Sequence, residues 1–451
     1  MKNQLSIKYP EIENCNICIV GLGYVGLPLA IEFSRVKNCI RTGVPLKREI
    51  TGFDLNKKRI EELKLGIDST NETELNDLKE FQSINFISDP NKIKGTDVYV
   101  VSVPTPIDSN KNPDLTFLLK ASETIGDLIK RSDSIYAPII IYESTVYPGT
   151  TEEICVPIIE KRSKLKYNKD FFCGYSPERI NPGDKKHRLA SIVKVTSGSN
   201  KEAADWIDAL YGSIIKAGTF KAKSLKIAEA AKAIENTQRD INIALVNELA
   251  KVCKAINIDT LDVLEAAGSK WNFMPFRPGL VGGHCISVDP FYLTYVAKKN
   301  GYEPKVVLAG RKINDGMSEW IIEQLYIAMM AKEIIPEKSR ILILGVTFKE
   351  NCPDTRNSKV LDMIKILNER GIKPYIHDPY ITDEKIFENN FTFLKNSPFE
   401  ISIKFDVIII AVAHQEFKLF NKEKWLNLMH KNHIFYDLKG ILPRELNPIR
   451  L

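Results

Sequence analysis

The segment from residue 276 to residue 290 contains the residue types that nucleophilic chemistry needs. It reads FRPGLVGGHCISVDP, so a thiol, Cys285, closely follows the paired glycines Gly282 and Gly283. Paired glycines let a backbone pack closely on a ligand and leave the nearby side chain poorly shielded. Asp289 lies one helical turn further on if a helix starts here, where a carboxylate supports a base or positions a water. Because a lone cysteine is more often a small core residue, a structural role stays open beside the nucleophilic one.

A polar triplet lies on a predicted long helix. Glu229, Lys232 and Asn236 are spaced i, i+3 and i+7, so they share one face between apolar residues that should be buried. Buried polar groups need partners. One interpretation is an internal ion pair with a hydrogen bond, and the other is a lysine and an amide aimed at a substrate oxygen.

A glycine-rich turn, GLGYVG at residues 21–26, closes a predicted strand and opens a predicted helix. In such a motif the first glycine permits the tight turn, the second lets the backbone approach a pyrophosphate and the third allows close helix–strand packing. The helix N-terminus attracts the anion. The candidate cofactor-binding residues here are Gly21, Gly23, Tyr24, Val25 and Gly26. The alternative is a tight turn that binds no cofactor, because the motif also occurs by chance.

Asp54 follows the second predicted strand and is placed to accept hydrogen bonds from ribose hydroxyls. A carboxylate there favours NAD, because it would repel the 2′-phosphate of NADP. Asp54 lies 28 residues after Gly26 instead of the usual ~20. An insertion at residues 38–47, predicted as a surface loop or hairpin with no assigned function, accounts for the excess. Arg59 either reaches the adenosine side or is a solvated helix charge.

Two further loops, SVPTP at 102–106 and ESTVYPG at 143–149, each follow an apolar strand. Ligands of open α/β sheets lie beyond the carboxyl ends of the strands, so both loops should border the cofactor. Val103, Thr105, Ser144 and Thr145 are therefore candidate cofactor-binding residues. Proline and glycine also make plain turns, and that alternative stays open.

The elements that must position these residues form three regions. From about residue 16, near-continuous apolar strands alternate with amphipathic helices, which indicates a parallel sheet covered on both faces. A mostly helical region follows from about residue 221 to 330, with one long pattern that would serve as a spine between domains or as a dimer surface. The last region repeats the first.

The predicted fold class is α/β, with two Rossmann-like doubly wound parallel-sheet domains joined by a central helical domain with a long spine helix. The expected boundaries are 1–215, 216–330 and 331–451. Gly345 and Asp378 lie 324 residues after Gly21 and Asp54, which suggests a second copy of a nucleotide-binding unit. The sequence GVTFK at 345–349 lacks the glycine fingerprint, so this copy should not bind a second dinucleotide.

Composition excludes several classes of protein. The 451 residues carry a formal net charge of +6, too diffuse for nucleic-acid binding. The chain shows no signal-peptide apolar core and no apolar run of about 18 residues, so we expect a cytoplasmic protein outside the membrane. Eight cysteines are too few for a disulfide framework, and Cys15 and Cys18 should pack on opposite faces of a strand. No metal is predicted, and His430 and His433, at helical spacing, are interpreted as surface histidines.

Seven segments, in order, resemble the UDP-glucose/UDP-mannuronate-type dehydrogenase family over nearly the entire chain. They are GLGYVGLPLA, VPTP, ESTVYPGTTEE, GYSPERINPGD, AEAAKAIENTQRDINIALVNE, GLVGGHCISVDP and GVTFKENCPDTRNS. Within the group, SPERINPGDKKHR and KWNFMPFRPGLVGGHCISVDP resemble the UDP-N-acetylhexosamine 6-dehydrogenases of polysaccharide pathways, especially the Vi-antigen type.

The resemblance implies a four-electron oxidation of the sugar C6 hydroxymethyl group to a carboxylate, with NAD taking the hydride in both steps. Cys285 would carry C6 as a thiohemiacetal and then as a thioester, which water hydrolyses. Lys232 and Asn236 would stabilise the C6 oxygen as charge develops on it. Three further residues would hold or activate the water or act as a base near C6: Thr145, Asp289 and Glu178.

The resemblance also implies that the C-terminal domain binds the UDP and that the middle region forms a homodimer core. The implied substrate-binding residues are Glu178, Arg179, Ile180, Asn181, Lys232, Asn236, Phe276, Arg277, Gly282, Lys349 and Lys439. Arg356 resembles an arginine that reaches the NAD of the same or a neighbouring subunit. Taken alone, Lys349, Lys439 and Arg356 are each more simply solvated surface charges.

Two departures from the glucose-oxidising members bear on the substrate. Val288 stands where those members have a lysine three residues after the cysteine, and Pro182 stands where they have a second glutamate. The roles of those two residues are either dispensed with or supplied elsewhere, with Arg179, Lys185 and His187 as candidates. Both departures weaken UDP-glucose as the substrate and favour an N-acetylated UDP-sugar. Together with the Vi-type resemblance they lead us to expect UDP-GlcNAc or UDP-GalNAc, with UDP-ManNAc and UDP-glucose as alternatives.

Two other functions are possible alternatives. A β-hydroxyacid or 6-phosphogluconate-type dehydrogenase shares the Rossmann domain and the lysine–asparagine pair, but needs neither Cys285 nor a second α/β unit. A non-catalytic nucleotide-sugar sensor would keep the glycine-rich loops and tolerate loss of Lys232 and Cys285, so the presence of both residues argues against it.

Overall fold

The computed structural model of the chain describes residues 9–70, 73, 77–129, 136–180, 188–381 and 391–451. Four residues named above, Asn181, Pro182, Lys185 and His187, lie outside these ranges. Contacts divide the chain into two compact units, residues 1–235 with 291–302 and residues 236–290 with 303–451. The three-domain division stays a prediction.

The first unit is built on an eight-stranded sheet of short, apolar strands. Their order across the sheet is β3-β2-β1-β4-β5-β6-β7-β8, and all neighbouring pairs are parallel except β6 with β7. The strand bounds are β1 Ile17–Val20, β2 Ile50–Phe53, β3 Ile84–Ile87, β4 Val98–Val101, β5 Ile139–Tyr142, β6 Phe172–Tyr175, β7 Lys194–Gly198 and β8 Thr219–Lys221. Six strands in the order 3-2-1-4-5-6 form the dinucleotide-binding topology.

Helices cover both faces of this sheet. They are α1 Gly26–Arg35, α2 Lys57–Lys64, α3 Thr116–Ile129, α4 Val156–Ser163 and α5 Lys201–Gly212. Side chains of β1 alternate between two cores, because Ile17 and Ile19 pack with α1 and α5 while Cys18 packs with α3 and α4. Cys15 belongs to the first core and Cys18 to the second, which confirms their predicted packing on opposite faces.

Five helices follow in the described part of the chain: α6 Leu225–Ala255, α7 Thr260–Gly268, α8 Asp289–Lys299, α9 Lys305–Asp315 and α10 Met317–Ala331. Helix α6 has 31 residues, so it is about 46 Å long at 1.5 Å per residue, as the predicted spine requires. The division between the two units falls within α6, after Glu235, and again within α8, after Pro290. No described helix is both long and apolar enough to cross a membrane.

The second unit contains a six-stranded, fully parallel sheet in the order β11-β10-β9-β12-β13-β14. Its strands are β9 Ile341–Leu344, β10 Tyr375–His377, β11 Thr392–Phe393, β12 Phe405–Ile410, β13 Met429–Asp437 and β14 Ile449–Arg450, with helices α11 Lys359–Glu369 and α12 Lys422–Asn427. This order is again 3-2-1-4-5-6 in chain terms, so the repeat seen in the sequence is a structural repeat. The predicted fold class is confirmed.

Two local predictions have clear outcomes. The insertion at 38–47 is a hairpin-like loop, with an antiparallel bridge between Asn38 and Pro45 and a hydrogen bond from Cys39 N to Val44 O of 2.8 Å. His430 is exposed and His433 partly exposed, as expected of surface histidines, but both lie in strand β13 and not on the helix face that a shared metal would have needed. Helix α12 ends before them, at Asn427, because the apolar run that follows pairs in the sheet.

Candidate active site

The glycine-rich turn between β1 and α1 leaves room where a cofactor needs it. Gly21 has φ +96°, a conformation that favours glycine. A Cβ at Gly26 would lie 1.8 Å from Gly21 O, so the third glycine serves close packing, as predicted. At Gly23 a Cβ would meet nothing within 4 Å, so the backbone there is open to a ligand.

The N-terminus of α1 is suited to an anion. Its N-cap residue, Val25, supplies no side-chain hydrogen bond, and the first turn contains no acidic residue. The first N–H groups of a helix lack intrahelical partners and carry partial positive charge. Together with the open backbone at Gly23, this terminus fits the pyrophosphate of a dinucleotide.

Asp54 anchors the same turn. One carboxylate oxygen accepts a hydrogen bond from Leu22 N at 2.9 Å, and the other accepts one from Asn56 N at 2.8 Å. The side chain is only partly buried, and a carboxylate has more lone pairs than these two bonds use. Asp54 can therefore hold the glycine-rich turn in place and still accept hydrogen bonds from a ribose.

Arg59 is buried, so its interpretation as a solvated helix charge was wrong. Its Nε donates to Leu22 O at 3.0 Å, one terminal nitrogen pairs with Asp68 at 2.7 Å and the other donates to Ser69 at 3.1 Å. The guanidinium thus braces the glycine-rich turn from behind. Its predicted contact with the cofactor stays a prediction.

The two loops after β4 and β5 are tied to each other. Thr105 Oγ1 donates to Thr145 O at 2.6 Å, and Ser144 Oγ donates to Val103 O at 2.6 Å. Tyr292 in α8 donates to Thr105 O. These cross-links make the loops one ordered wall beyond the carboxyl ends of the strands, where ligands of such sheets bind.

The three residues of the polar triplet on α6 have different surroundings in the structure. Glu229 is fully buried and accepts hydrogen bonds from Gly149 N at 2.5 Å and Thr151 N at 2.9 Å, so it anchors the end of the β5 loop. The interpretation as an internal ion pair with Lys232 was therefore wrong. Lys232 is 6% exposed and forms no ion pair with a described carboxylate. A buried ammonium that forms no ion pair needs a different polar partner, such as an oxygen of a bound substrate.

Glu178, directly after β6, also lacks a complete set of partners. Its Oε1 accepts hydrogen bonds from Arg179 N and Ile180 N, while its buried Oε2 has no partner among the described residues. Arg179 pairs with Glu235 at 3.0 Å, and Ile180 packs against the core. An unpaired buried carboxylate oxygen fits a group that meets substrate or water.

In the second unit, Asn236 and Asp289 form a buried pair. Asn236 Nδ2 donates to Asp289 Oδ2 at 2.5 Å, and both side chains are at least 94% buried. Helix α8 begins at Asp289, whose N–H donates to Cys285 O at 2.8 Å, so Cys285 lies one turn before it as expected. The carboxylate fixes the orientation of the Asn236 amide.

Cys285 is partly exposed, whereas the other seven cysteines are buried. Burial raises the pKa of Cys15 and of Cys155 to about 12, which suppresses their thiolates at neutral pH. A thiolate is the reactive form, and it needs access to an electrophile. Exposure therefore separates Cys285 from the structural cysteines.

The paired glycines before Cys285 are required for packing within the chain, and their expected approach to a ligand stays a prediction. A Cβ at Gly282 would lie 2.6 Å from Asn357 O, and one at Gly283 would lie 2.8 Å from the Phe348 ring. Asn357 Nδ2 also donates to Gly283 O at 3.1 Å. Larger residues are excluded because the segment after β9 already occupies this space.

A cleft of about 260 Å³ lies in the second unit. Arg277, Pro278, Gly279, Glu350 and Lys439 are among its lining residues. Lys439 is half-buried, and burial lowers the pKa of its ammonium while the nearby carboxylates of Glu350 and Asp437 raise it. Neither Arg277 nor Lys439 forms an ion pair with a described carboxylate, so both cations are available to an anion.

Two other predicted residues lie in the segment after β9. Arg356 is 52% exposed, and Asp354 holds it through hydrogen bonds of 3.0 Å to Nε and 2.7 Å to Nη2. Lys349 is half-buried, and its carbonyl accepts a hydrogen bond from Thr347 Oγ1 at 2.9 Å. Phe276 is also half-buried, at the start of the Cys285 segment.

Sequence reasoning missed Asn247, which is fully buried on α6. Its amide receives a hydrogen bond from Gly279 N at 2.8 Å and donates to Gly279 O at 3.0 Å, as a neighbouring strand would. A second donor of the same amide reaches Asn314 Oδ1 at 2.8 Å. The signal available in the sequence was its i+7 spacing from Asp240, another buried polar residue of α6, which Asn314 and Arg311 contact.

Models of one protein family match most of the chain. The UDP-glucose/GDP-mannose dehydrogenase family is matched by its NAD binding domain at residues 15–215, its central domain at 226–316 and its UDP binding domain at 342–444. The chain belongs to this family, and the predicted resemblance is confirmed. Its N-terminal part is the NAD binding domain of the family.

Within this family, the chain is similar to individual enzymes that are named for UDP-N-acetylhexosamines. The chain is 52% identical to a UDP-N-acetyl-D-glucosamine 6-dehydrogenase of Salmonella typhi, over 98% of this chain and 99% of the relative. It is 51% identical to an enzyme of the same name from Pseudomonas aeruginosa, over 98% and 100%. The solved structure of a UDP-D-ManNAc dehydrogenase from Pyrococcus horikoshii is similar with a TM-score of 0.84, at 28% identity, covering 96% of this chain and 98% of that one.

Proposed function

We propose that the protein is an NAD-dependent UDP-N-acetylhexosamine 6-dehydrogenase that oxidises the C6 hydroxymethyl group to a carboxylate. The observation that carries the proposal is the partly exposed Cys285, one turn before the buried Asn236–Asp289 pair. A single oxidation needs no such thiol. A four-electron oxidation needs a nucleophile to hold the half-oxidised carbon.

The glycine-rich turn fits NAD, as the open backbone at Gly23 and the uncapped start of α1 indicate. Gly21, Gly23, Tyr24, Val25 and Gly26 would hold the pyrophosphate, Asp54 the ribose, and the cross-linked loops with Val103, Thr105, Ser144 and Thr145 would border the cofactor. When bound, NAD supplies the hydride acceptor for each of the two oxidations. We assign Arg356 a supporting contact with the cofactor.

Lys232 and Asn236 would act on the C6 oxygen. A buried ammonium and a fixed amide donor stabilise negative charge as it develops on that oxygen. Asp289 accepts one hydrogen of the Asn236 amide and leaves the other for the substrate. The ammonium of Lys232 has no described acid to neutralise it, which keeps it available.

The first oxidation would convert the C6 alcohol into an aldehyde. The thiolate of Cys285 would then add to the carbonyl carbon of this aldehyde, forming a C–S bond and placing the electron pair of C=O on oxygen, so that a thiohemiacetal results. Loss of a second hydride from this thiohemiacetal gives a thioester. Water attacks the thioester, the C–S bond breaks, and the carboxylate leaves while the thiolate is restored. Thr145 and Glu178 would hold and deprotonate that water, for which the unpaired Oε2 of Glu178 is suited.

The cleft with Arg277 and Lys439 would bind the UDP. Two cations that form no ion pair with a described carboxylate complement a diphosphate, and Gly279 lets the substrate approach the Lys439 ammonium. We assign the remaining predicted residues to the same substrate: Arg179, Ile180, Asn181, Phe276, Gly282 and Lys349. Asn181 lies outside the described residues, and its role rests on the resemblance alone.

UDP-GlcNAc or UDP-GalNAc is the proposed substrate class. Two relatives more than half identical to this chain are named for UDP-N-acetyl-D-glucosamine, whereas the Pyrococcus structure named for UDP-D-ManNAc is 28% identical. Val288, in place of a lysine, also argues against UDP-glucose. UDP-ManNAc is the second candidate.

We further propose a cytoplasmic homodimer. Helix α6 and the residue after it expose an apolar stripe at the spacing of a helix–helix seam: Leu245, Leu249, Val252 and Ile256, which are 37–62% exposed. Exposed apolar side chains in a continuous row mark a protein interface. A compartment that keeps thiols reduced is also what Cys285 requires.

The test measures NADH formation with UDP-GlcNAc, UDP-GalNAc, UDP-ManNAc and UDP-glucose separately. We expect two NADH per sugar acid, with the highest kcat/KM for UDP-GlcNAc or UDP-GalNAc. One NADH per sugar would indicate a simple alcohol dehydrogenase, and no NADH with any of the four would exclude the proposed function. Binding of UDP-sugar without turnover would instead favour a sensor.

A further inference from the structure

A fully buried charged cluster lies behind the β5 and β6 loops of the first unit. Lys194 Nζ pairs with Glu143 Oε2 at 2.5 Å, and the side chains are 1% and 0% exposed. Tyr211, also fully buried, donates to the other oxygen of Glu143. None of these residues belongs to the candidate site as derived above.

The lysine joins the two strand ends that carry proposed catalytic groups. Glu143 follows β5 and directly precedes Ser144 and Thr145. The same ammonium donates to Pro177 O at 3.0 Å, and Pro177 directly precedes Glu178 after β6. One side chain therefore holds both loops from behind, through a carboxylate on one side and a backbone carbonyl on the other.

Such a cluster is poorly explained by stability alone. Removing two charges from water carries a large desolvation penalty, and apolar replacement of a buried pair is often neutral or stabilising. Burial raises the pKa of Glu143, the charge of Lys194 lowers it, and the nearby carboxylate of Glu178 raises it again. The charges of the cluster and the candidate base are thus close enough to act on each other.

We propose that Lys194 is a positioning residue that fixes the backbone at Thr145 and Glu178 relative to each other for the oxidation and hydrolysis at C6. The inference rests on the proposed function, because it takes Thr145 and Glu178 as groups that act there. Lys194 touches neither substrate nor cofactor in this role. It acts through Glu143 and Pro177, whose separation it determines.

The test compares a neutral double variant, Lys194→Met with Glu143→Gln, with a matched control. The double variant leaves no unpaired charge, so it should fold, whereas Glu143→Gln alone is avoided because it would leave the buried ammonium without its carboxylate. Ser197→Ala is the control, because Ser197 lies in β7 like Lys194 and its Oγ donates to Tyr175 O of β6 at 2.7 Å without touching Lys194. Both variants lose a buried polar link at similar depth.

Three measurements separate positioning from a merely structural role. We expect the double variant to keep its Tm within a few degrees of wild type while kcat falls roughly 10- to 100-fold, as misplacement by about 1 Å produces. Amide exchange at residues 144–145 and 178–180 should accelerate, and this readout needs no activity. The control should leave kcat and this exchange near wild type.

Several outcomes would overturn the inference. An active wild type with a double variant within about threefold of its kcat would remove Lys194 from the mechanism. Equal losses of Tm and kcat in the double variant and in Ser197→Ala would show a structural role only. If the wild type oxidises none of the four UDP-sugars, the proposed function fails, and unchanged exchange in the double variant would then refute the positioning separately.

Discussion

At the scale of single residues, exposure sets Cys285 apart. It is partly exposed at the start of a helical turn, while the other seven cysteines are buried. Cys39 is the closest rival, because its pKa is lowered: burial acts to raise it, but hydrogen bonds from Thr42 outweigh that effect. Cys39 is nevertheless only 7% exposed. Thiol chemistry on the folded protein should therefore start at Cys285.

We predict that iodoacetamide modifies Cys285 first and abolishes NADH formation. Peptide mapping at partial inactivation measures the site, and UDP-GlcNAc should slow the reaction by occupying it. Cys39→Ser is the control and should be inactivated at the wild-type rate. Cys285→Ser should lose roughly 10²-fold or more in turnover, because its hydroxyl is not activated as a thiolate would be. Full activity after modification of Cys285 would contradict its role.

The sequence indicated which residues are candidates for the site better than it indicated their hydrogen-bond partners. Cys285, Lys232 and Asn236 stood out by type and spacing, but Glu229 proved to anchor the β5 loop. The sequence could not show this, because its partners are backbone N–H groups 78 and 80 residues away. Arg59 is a similar case, since a helix charge and a buried brace share the same local pattern.

At the scale of elements, Asn247 links the long helix to the segment that leads to Cys285. Its amide forms the two backbone hydrogen bonds to Gly279 that a neighbouring β-strand would otherwise form. Gly279 lines the cleft beside Lys439, whose Nζ lies 3.5 Å from the position of a Cβ there. One helix residue thus fixes the wall of the proposed UDP site.

We predict that Asn247→Ala raises KM for the UDP-sugar and leaves KM for NAD unchanged. The free energy of unfolding should fall by about 2–5 kcal/mol, because an unpaired buried N–H or C=O costs ~1–3 kcal/mol. Denaturant unfolding and steady-state kinetics measure the two effects. Asn247→Asp should be no better, since it presents an oxygen to Gly279 O.

The matched control for that prediction is Leu367→Ala in the core of the same unit. It should cost a similar ~2–5 kcal/mol through its cavity, without a change in KM. Equal KM changes in both variants would show that instability alone weakens substrate binding.

The elements themselves followed from apolar patterns. Buried strands of four residues, such as Ile17–Val20 and Ile341–Leu344, read as continuous apolar runs because helices cover both faces. The β12–β13 pair was harder, because the spacing of His430 and His433 suggested a helix where the structure has strand β13. Their spacing fits either element, and pairing with β12 decides the outcome.

At the scale of the whole molecule, the apolar stripe on α6 argues for a second copy of the chain. Leu245, Leu249 and Val252 are 54%, 37% and 49% exposed. Their 4-then-3 spacing places them on one side of the helix. Sequence alone predicted the helix and suggested a dimer surface, but only the structure shows which of its faces is uncovered in the single chain.

We predict that Leu245→Glu combined with Val252→Glu yields a monomer, because two carboxylates would be buried without partners at the seam. Sedimentation velocity across a concentration series measures the change. Leu419→Glu, at an apolar residue 75% exposed elsewhere in the second unit, is the control and should leave the assembly intact. A wild type that sediments as a monomer at all concentrations would refute the homodimer.

The turn after β9, which lacks the glycine fingerprint of the first unit, has a consequence for the order of events in catalysis. Asp378 there accepts hydrogen bonds from Val346 N and Thr347 N, much as Asp54 does from Leu22 N, but a Cβ at Gly345 would lie 2.4 Å from Val412 Cβ. His414 is buried against Asp378 at 3.1 Å. Asp378 is thus buried and bonded where Asp54 is partly exposed, and Thr347 stands at the position that corresponds to Gly23. We therefore expect the first unit, and not the second, to bind the electron acceptor. Under the proposed function, the four electrons would then leave as two hydrides, taken up by two NAD molecules that bind one after the other. The covalent bond to the sulfur of Cys285 would retain the half-oxidised sugar while NADH is exchanged for NAD.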